Sequence, residues 1–225
     1  MNKKYQLFNL CSLFLIILLC YACKNCCEDI SCVAYNFKIP ITIADKIDSL
    51  YVGDTITFLS TFHHDVEDIV DNRKYKLVDY NFGPGMDLTE ISQSKSNGLF
   101  ESFATTLIES DTSHIFHHSD TTNSIAFKYR YENDYYFAKV QFIIHYPGTY
   151  YFRAYSDIVT SRIAQNTNKF EGRCAARGQD PLYFMNDSQD NNNYHLLAQS
   201  GDPDIRATTK ERFDRFGGYA FVVKE

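Results

Sequence analysis

Residues 125–144 read IAFKYRYENDYYFAKVQFII, and this stretch sets the expectation for the whole chain. Apolar or aromatic side chains recur at every second position. They are Ile125, Phe127, Tyr129 and Tyr131, then, beyond Glu132-Asn133-Asp134, Tyr136, Ala138, Val140, Phe142 and Ile144. Successive side chains of a strand point to opposite faces, so a period of two marks a strand with one buried face. Two such runs around a short break of turn-forming residues predict an antiparallel hairpin over residues 125–145. Its core face takes Ile125, Phe127, Val140 and Phe142.

The same pattern extends in both directions. Pro147-Gly148 punctuates the chain, and Thr149 to Tyr155 follows as a strand with Tyr150, Phe152 and Ala154 on one face. Upstream, Tyr35, Phe37, Ile39, Ile41 and Ile43 alternate; Pro40, which has no N–H to donate, predicts an edge strand there. Thr55 to Phe62 places Ile56, Phe58 and Phe62 on one face, after a turn in which Gly53 admits a positive φ. Residues 63–74 read as a polar loop. Residues 75–82 read as a strand with Val78, Tyr80 and Phe82 on one face, stopped by Gly83-Pro84-Gly85. Leu99 to Leu107 is a strand candidate, and Glu109 to Asn123 reads as loop. Past Ser156 the pattern loosens. Residues 157–172 carry no clean stripe, 181–185 and 194–197 are short apolar pieces, and 187–193 is a polar run. Residues 210–216 suit one or two helical turns ended by Gly217-Gly218, and Tyr219, Phe221 and Val223 share a face of a last strand. The 225 residues are 44% hydrophobic, enough for a core, and the 17 Tyr and 18 Phe favour a pleated surface. The expected fold is mainly β: a single antiparallel sandwich over residues 35–225 with a less regular, partly helical C-terminal segment.

The first residues read as an address. Lys3 and Lys4 precede an apolar run, Cys11 to Cys20, that is too short for a membrane span and fits a signal peptide over residues 1–22. Ala22-Cys23 closes the run and resembles a bacterial lipobox. That resemblance implies cleavage before Cys23, lipid on its thiol and a tether over residues 23–34. Loss of residues 1–22 removes two lysines and no acid, so the mature chain is more acidic than the −6 of the whole. Anionic lipid repels such a body, and the lipid is what holds it. Of the 7 Cys, Cys26, Cys27, Cys32 and Cys174 remain as disulfide candidates in an exported chain. A bridge between adjacent Cys26 and Cys27 is strained, so Cys32 and Cys174 each pair with one of them if both bridges form. A four-thiolate zinc site is the alternative, but its second close pair is missing.

Chemistry is sparse. A net charge of −6 disfavours nucleic acid, which needs a basic patch. His63-His64 and His114-x-x-His117-His118 offer imidazoles without a metalloprotease pattern, so solvated histidines and no metal are expected. The acids at 65–71 and 187–193 lack the calcium-loop glycine and closing glutamate. No nucleophile elbow occurs, and Gly83-Pro84-Gly85 lacks the Lys-Ser/Thr of a phosphate loop. No cofactor and no catalytic residue are expected. Tyrosines crowd one stretch, and those facing outward form a candidate aromatic binding surface: Tyr129, Tyr131, Tyr135, Tyr151 and Tyr155.

Ala22-Cys23, Cys26-Cys27, Val52-Gly53-Asp54 and Pro147-Gly-Thr-Tyr150 together resemble secreted lipoproteins of Bacteroidetes type with an immunoglobulin-like β-sandwich. The resemblance implies location and fold: an immunoglobulin-like sandwich anchored by lipid to the outer membrane, on its periplasmic or its surface side. The function expected is that of a non-catalytic cell-envelope lipoprotein binding a protein or glycan. A structural accessory subunit of an outer-membrane assembly is the alternative, and a secreted hydrolase the second.

Overall fold

Fourteen strands run through the computed structural model, which describes residues 35–44, 50–92, 104–119, 122–156, 181–186 and 192–225. They are β1 (Lys38–Ile43), β2 (Leu50–Tyr51), β3 (Thr55–His63), β4 (Asp65–Asp68), β5 (Arg73–Lys76), β6 (Pro84–Glu90), β7 (Ala104–Glu109), β8 (Thr112–Ser119), β9 (Thr122–Lys128), β10 (Arg130–Glu132), β11 (Tyr135–Ile144), β12 (Gly148–Ser156), β13 (Leu182–Met185) and β14 (Tyr219–Lys224). A 3-10 helix (Tyr194–Gln199), α1 (Pro203–Arg206) and α2 (Lys210–Arg215) lie between the last two strands.

Sheet 1 runs β10-β11-β3-β1-β13, with β7 also beside β11; sheet 2 runs β2-β14-β12-β6-β9-β8; β4 and β5 form a separate ribbon. The architecture is the expected mainly β sandwich, but it is not wholly antiparallel. β1 and β13 pair in parallel, as do β14 and β2. The described residues fall in one compact unit, residues 35–166 and 178–225.

The two sheets meet through aromatic rings. Phe58 of β3 stacks on Phe152 of β12 at 3.7 Å between centroids, and Phe142 of β11 meets both edge-on. Ile125, Leu88, Val140, Tyr150 and Ala154 are fully buried around them. Each such side chain contributes roughly 1.5–3 kcal/mol by leaving water. Toward the other end of the sandwich, Phe37, Phe62, Phe82, Tyr129 and Tyr136 pack as a second ring cluster.

The predicted hairpin holds only beside its turn. Residues 130–132 pair with 135–137, and Asn133 and Asp134 both take positive φ, the pattern of a two-residue turn matched to strand twist. Before Tyr129 the chain is in the other sheet, where β9 pairs with β6 and β8. Tyr129 is the crossing point between them. Its ring is buried, and its hydroxyl bonds Ser60 at 3.0 Å. Ile125, Phe127, Val140 and Phe142 are all buried as expected, yet they face the core from two sheets.

Other expectations change with equally local causes. β1 is an inner strand: residues 38–41 pair with β13, and only 42–43 pair with β3. Pro40 needs no donor because the β3 ladder is broken beside it, and its carbonyl accepts from the Ser60 hydroxyl at 2.7 Å instead. Residues 65–76 hold the β4–β5 ribbon where a loop was expected over 63–74. Residues 77–83 are irregular where a strand was expected; Val78 is 48% exposed while Leu77, Tyr80 and Phe82 turn inward. The Tyr136 hydroxyl fixes that segment, donating to the Leu77 carbonyl at 2.7 Å and accepting from the Tyr80 N–H at 2.6 Å. Pro84 and Gly85 begin β6 instead of ending a strand, and residues 112–119, expected as loop, are β8.

The C-terminal segment adds a third layer over sheet 2. Leu196, Leu197 and Phe213 pack on Tyr151, Ala220 and Ile91. α2 is capped by the Thr209 hydroxyl, which accepts from the Arg212 N–H. Past α2, Phe216 bridges to Tyr183 of β13, and its carbonyl accepts from Ala154 of β12 at 2.7 Å.

Candidate functional site

Five tyrosines are the candidate binding surface, and the fold divides them. Tyr129 is buried in the core, where loss of water pushes its hydroxyl well above the usual range, offset in part by the Ser60 hydrogen bond. Tyr151 lies beneath the C-terminal layer, stacked on Phe213 at 5.7 Å; burial pushes it up to about 12, against the pull of Arg153 and Arg212. Neither takes part in an exposed surface. Alternation assigned Tyr151 to the outward face of β12 correctly, but that face is covered by α2 and the 3-10 helix.

Tyr155 is half-buried beside a polar cluster on sheet 2. Asp87 is almost fully buried, accepts from the Ser124 hydroxyl at 2.5 Å and pairs with Arg153 at 2.7 Å. Burial, then the Asp87 charge, pushes Tyr155 up to about 12. Its ring lies across Gly85, where a Cβ would meet the ring carbons at 2.6 Å. This cluster satisfies a buried carboxylate and locks three strands together. Sequence reasoning did not single out Asp87, because an acid within a strand ordinarily faces water.

Tyr131 and Tyr135 sit at the open end of sheet 1. Tyr135 is 51% exposed at the first position of β11, opposite His63 of β3, and the two rings meet edge-on at 5.2 Å. The His64 N–H donates to the Asp134 carbonyl at 2.9 Å, and the Leu77 N–H to the His64 carbonyl at 2.8 Å. The end of β3, the β10–β11 turn and the start of the β4–β5 ribbon are therefore tied together through backbone.

Side chains converge there too. The His64 ring is buried, with Nδ1 3.0 Å from the Tyr131 hydroxyl and 3.2 Å from Asp134 Oδ1. Tyr131 in turn donates to Asp134 Oδ1 at 3.2 Å. Tyr131 has one proton and gives it to Asp134, so Nδ1 is the donor to the Tyr131 oxygen. Nε2 faces Asp65 Oδ1 at 3.6 Å, and His63 Nδ1 lies 3.3 Å from Asp65 Oδ2. One donor atom each from His63, His64 and Asp65 falls within 4.8 Å of the others. The sequence showed His63-His64-Asp65 as neighbours. It did not show the bend after β3 that turns consecutive rings toward one acid, or that Tyr131 and Asp134 would back one of them.

His114, His117 and His118 fall in β8, with side chains outside the described residues. Cys23, Cys26, Cys27, Cys32 and Cys174, and with them the lipidation and disulfide expectations, also lie outside them, as do Asp187 and Asp190.

No family model and no curated protein matches the sequence. Among solved structures, the chain is similar to the type II cohesin dyad from the adaptor ScaA scaffoldin of Acetivibrio cellulolyticus, at 10% identity and a TM-score of 0.29 over 66% of this chain and 46% of that one. The match thus spans under half of the dyad. A cohesin module from a Clostridium perfringens family 33 glycoside hydrolase matches at 12% identity and a TM-score of 0.27, over 55% of this chain and 83% of that one. The collagen-binding subdomain of the Enterococcus faecalis surface protein ACE matches at 8% and 0.21, over 53% and 83%.

Proposed function

We propose that this chain is a non-catalytic binding module of the cell envelope, anchored to the outer membrane by lipid on Cys23, which takes a protein or glycan partner at the open end of sheet 1. The observation that carries the reading is Tyr135. An aromatic ring half open to solvent stands at the end of a two-residue turn, braced edge-on by His63 across the sheet. A rigid aromatic side chain with hydrogen-bonding neighbours offers contact area with little ordering cost. The acidic, lipid-held body stands away from the membrane and leaves such an end accessible.

The test is ligand capture on glycan arrays and by co-purification from envelope fractions, with wild type against Tyr135→Ala. The expected result is a ligand held by the wild type and lost from a variant whose melting temperature is unchanged. Equal capture by both refutes the surface. Labelled palmitate is expected to enter the wild type and not Cys23→Ala; equal labelling refutes the anchor.

A further inference from the structure

We infer that His63, His64 and Asp65 form a binding site for a divalent first-row transition-metal ion of zinc type, with Asp134 and Tyr131 as the groups that position His64. The inference goes beyond ligand binding through Tyr135 and does not depend on it.

The donor set carries the argument. Two imidazoles and one carboxylate suit zinc, nickel, copper or cobalt, and suit calcium or magnesium poorly. Ligands about 2.0–2.1 Å from a tetrahedral zinc stand about 3.3–3.4 Å from one another. Here His63 Nδ1 and His64 Nε2 lie 3.3 and 3.6 Å from the two oxygens of Asp65. The three donor atoms lie within 4.8 Å of one another, so closing around an ion draws His63 and Asp65 in toward the fixed His64 ring.

The backing of His64 is the second, independent observation. A metal-bound imidazole needs its other nitrogen protonated and held, commonly by a carboxylate. His64 meets this condition: Nδ1 faces Asp134 at 3.2 Å and the Tyr131 hydroxyl at 3.0 Å, and Tyr131 is bonded to the same carboxylate. The ring is fixed by burial, so Nε2 is aimed before any ion arrives. His63 and Asp65 are 40% and 47% exposed, which leaves the ion an entry path and open positions for water or for a donor from a partner. His63 Nδ1 now accepts from the Asp65 N–H at 3.1 Å. Binding exchanges that bond for the ion, and water satisfies the exposed amide.

Zinc titration of the intact chain, followed by the ring nitrogen resonances of its histidines, tests the site separately from the cysteines. Before zinc, His64 is expected as the Nδ1–H tautomer. On titration, His63 and His64 are expected to shift together and saturate at one equivalent, with reversal by a chelator. His63→Ala, at an exposed position, removes a ligand and abolishes the joint shift. Asp134→Asn keeps a residue at ease with positive φ in the turn and lowers the affinity about 10–100-fold, as loss of a backing carboxylate does. Zinc uptake by thiols with both rings unmoved, or a shift of His63 alone, overturns the site. Tyr135→Ala leaves zinc binding intact, so loss of ligand capture and loss of metal are told apart.

Discussion

Phe213→Ala tests the third layer and its hold on the sandwich. Phe213 is fully buried, stacks on Tyr151 at 5.7 Å and 15°, and meets Tyr194 edge-on at 5.2 Å. It also lies against Gly218, where a Cβ would come within 2.5 Å of the ring. That contact explains the glycine: no other residue lets β14 begin so close beneath the ring. Truncating a buried Phe costs about 3–5 kcal/mol through lost transfer energy and the cavity left behind. Ring pairing accounts for about 0.5–1.5 kcal/mol beyond buried area. For a chain of this size, about 2–4 °C is lost per kcal/mol, so the melting temperature is expected to fall by roughly 6–20 °C. Urea unfolding gives the free energy directly. A second readout locates the damage. Tyr151 titrates near 12 because Phe213 and its neighbours keep water from it. In Phe213→Ala, alkaline absorbance titration is expected to show Tyr151 moving down toward 10. A loss under about 1 kcal/mol with Tyr151 unmoved would refute the claim that this ring secures the layer.

Tyr151 also gives a pH dependence. Its folded pKa is raised, so the stability it contributes is complete below pH 10 and is lost as pH climbs toward 12, at up to about 1.4 kcal/mol per pH unit. Urea midpoints between pH 9 and 12 are expected to fall less steeply in Tyr151→Phe than in the wild type; parallel curves refute this. Phe142→Ala, which empties the centre of sheet 1 beneath Phe58 and Phe152, is expected to cost about 3–5 kcal/mol in urea unfolding, and a cost under about 1 kcal/mol refutes the packing. Cys174 is expected to be bridged to Cys26 or Cys27, and non-reducing peptide mapping that finds its peptide unlinked and alkylatable disproves the pairing.

Much of the fold was legible because alternation reports burial. Ile56, Phe58, Val140, Phe142, Tyr150, Phe152, Phe221 and Val223 face the core as their spacing required. Alternation does not report which sheet a strand joins. Residues 125–131 keep an unbroken period of two while crossing between sheets at Tyr129, because a crossing strand still turns one face to the same core. The loop expected over 63–74 was misread because its charges mark solvent exposure, which a two-stranded ribbon shares with a loop. The candidate site was legible in composition and hidden in geometry. His63-His64-Asp65 are adjacent in the chain, but Tyr131 and Asp134 reach them only through the pairing of β11 with β3. Tyr151 was lost from the binding surface for a related reason. Its cover comes from residues 194–213, whose irregular pattern carries no period linking them to β12.

The two parallel pairings have a consequence for the order in which the molecule is assembled. Among the described residues β2 pairs only with β14, and most of β1 pairs with β13, so strands near residues 38–51 wait for partners near residues 182–185 and 219–224. A polypeptide emerging N-terminus first, from a ribosome or a translocation channel, therefore has its earliest strands in hand long before either sheet can be finished. β1 and β2 are completed only once β13 and β14 are present. Contacts this distant in sequence make for slow folding, with unpaired strand edges exposed during the wait. On the export route we propose, that delay is an asset, because the sheets are completed only after the passage is over.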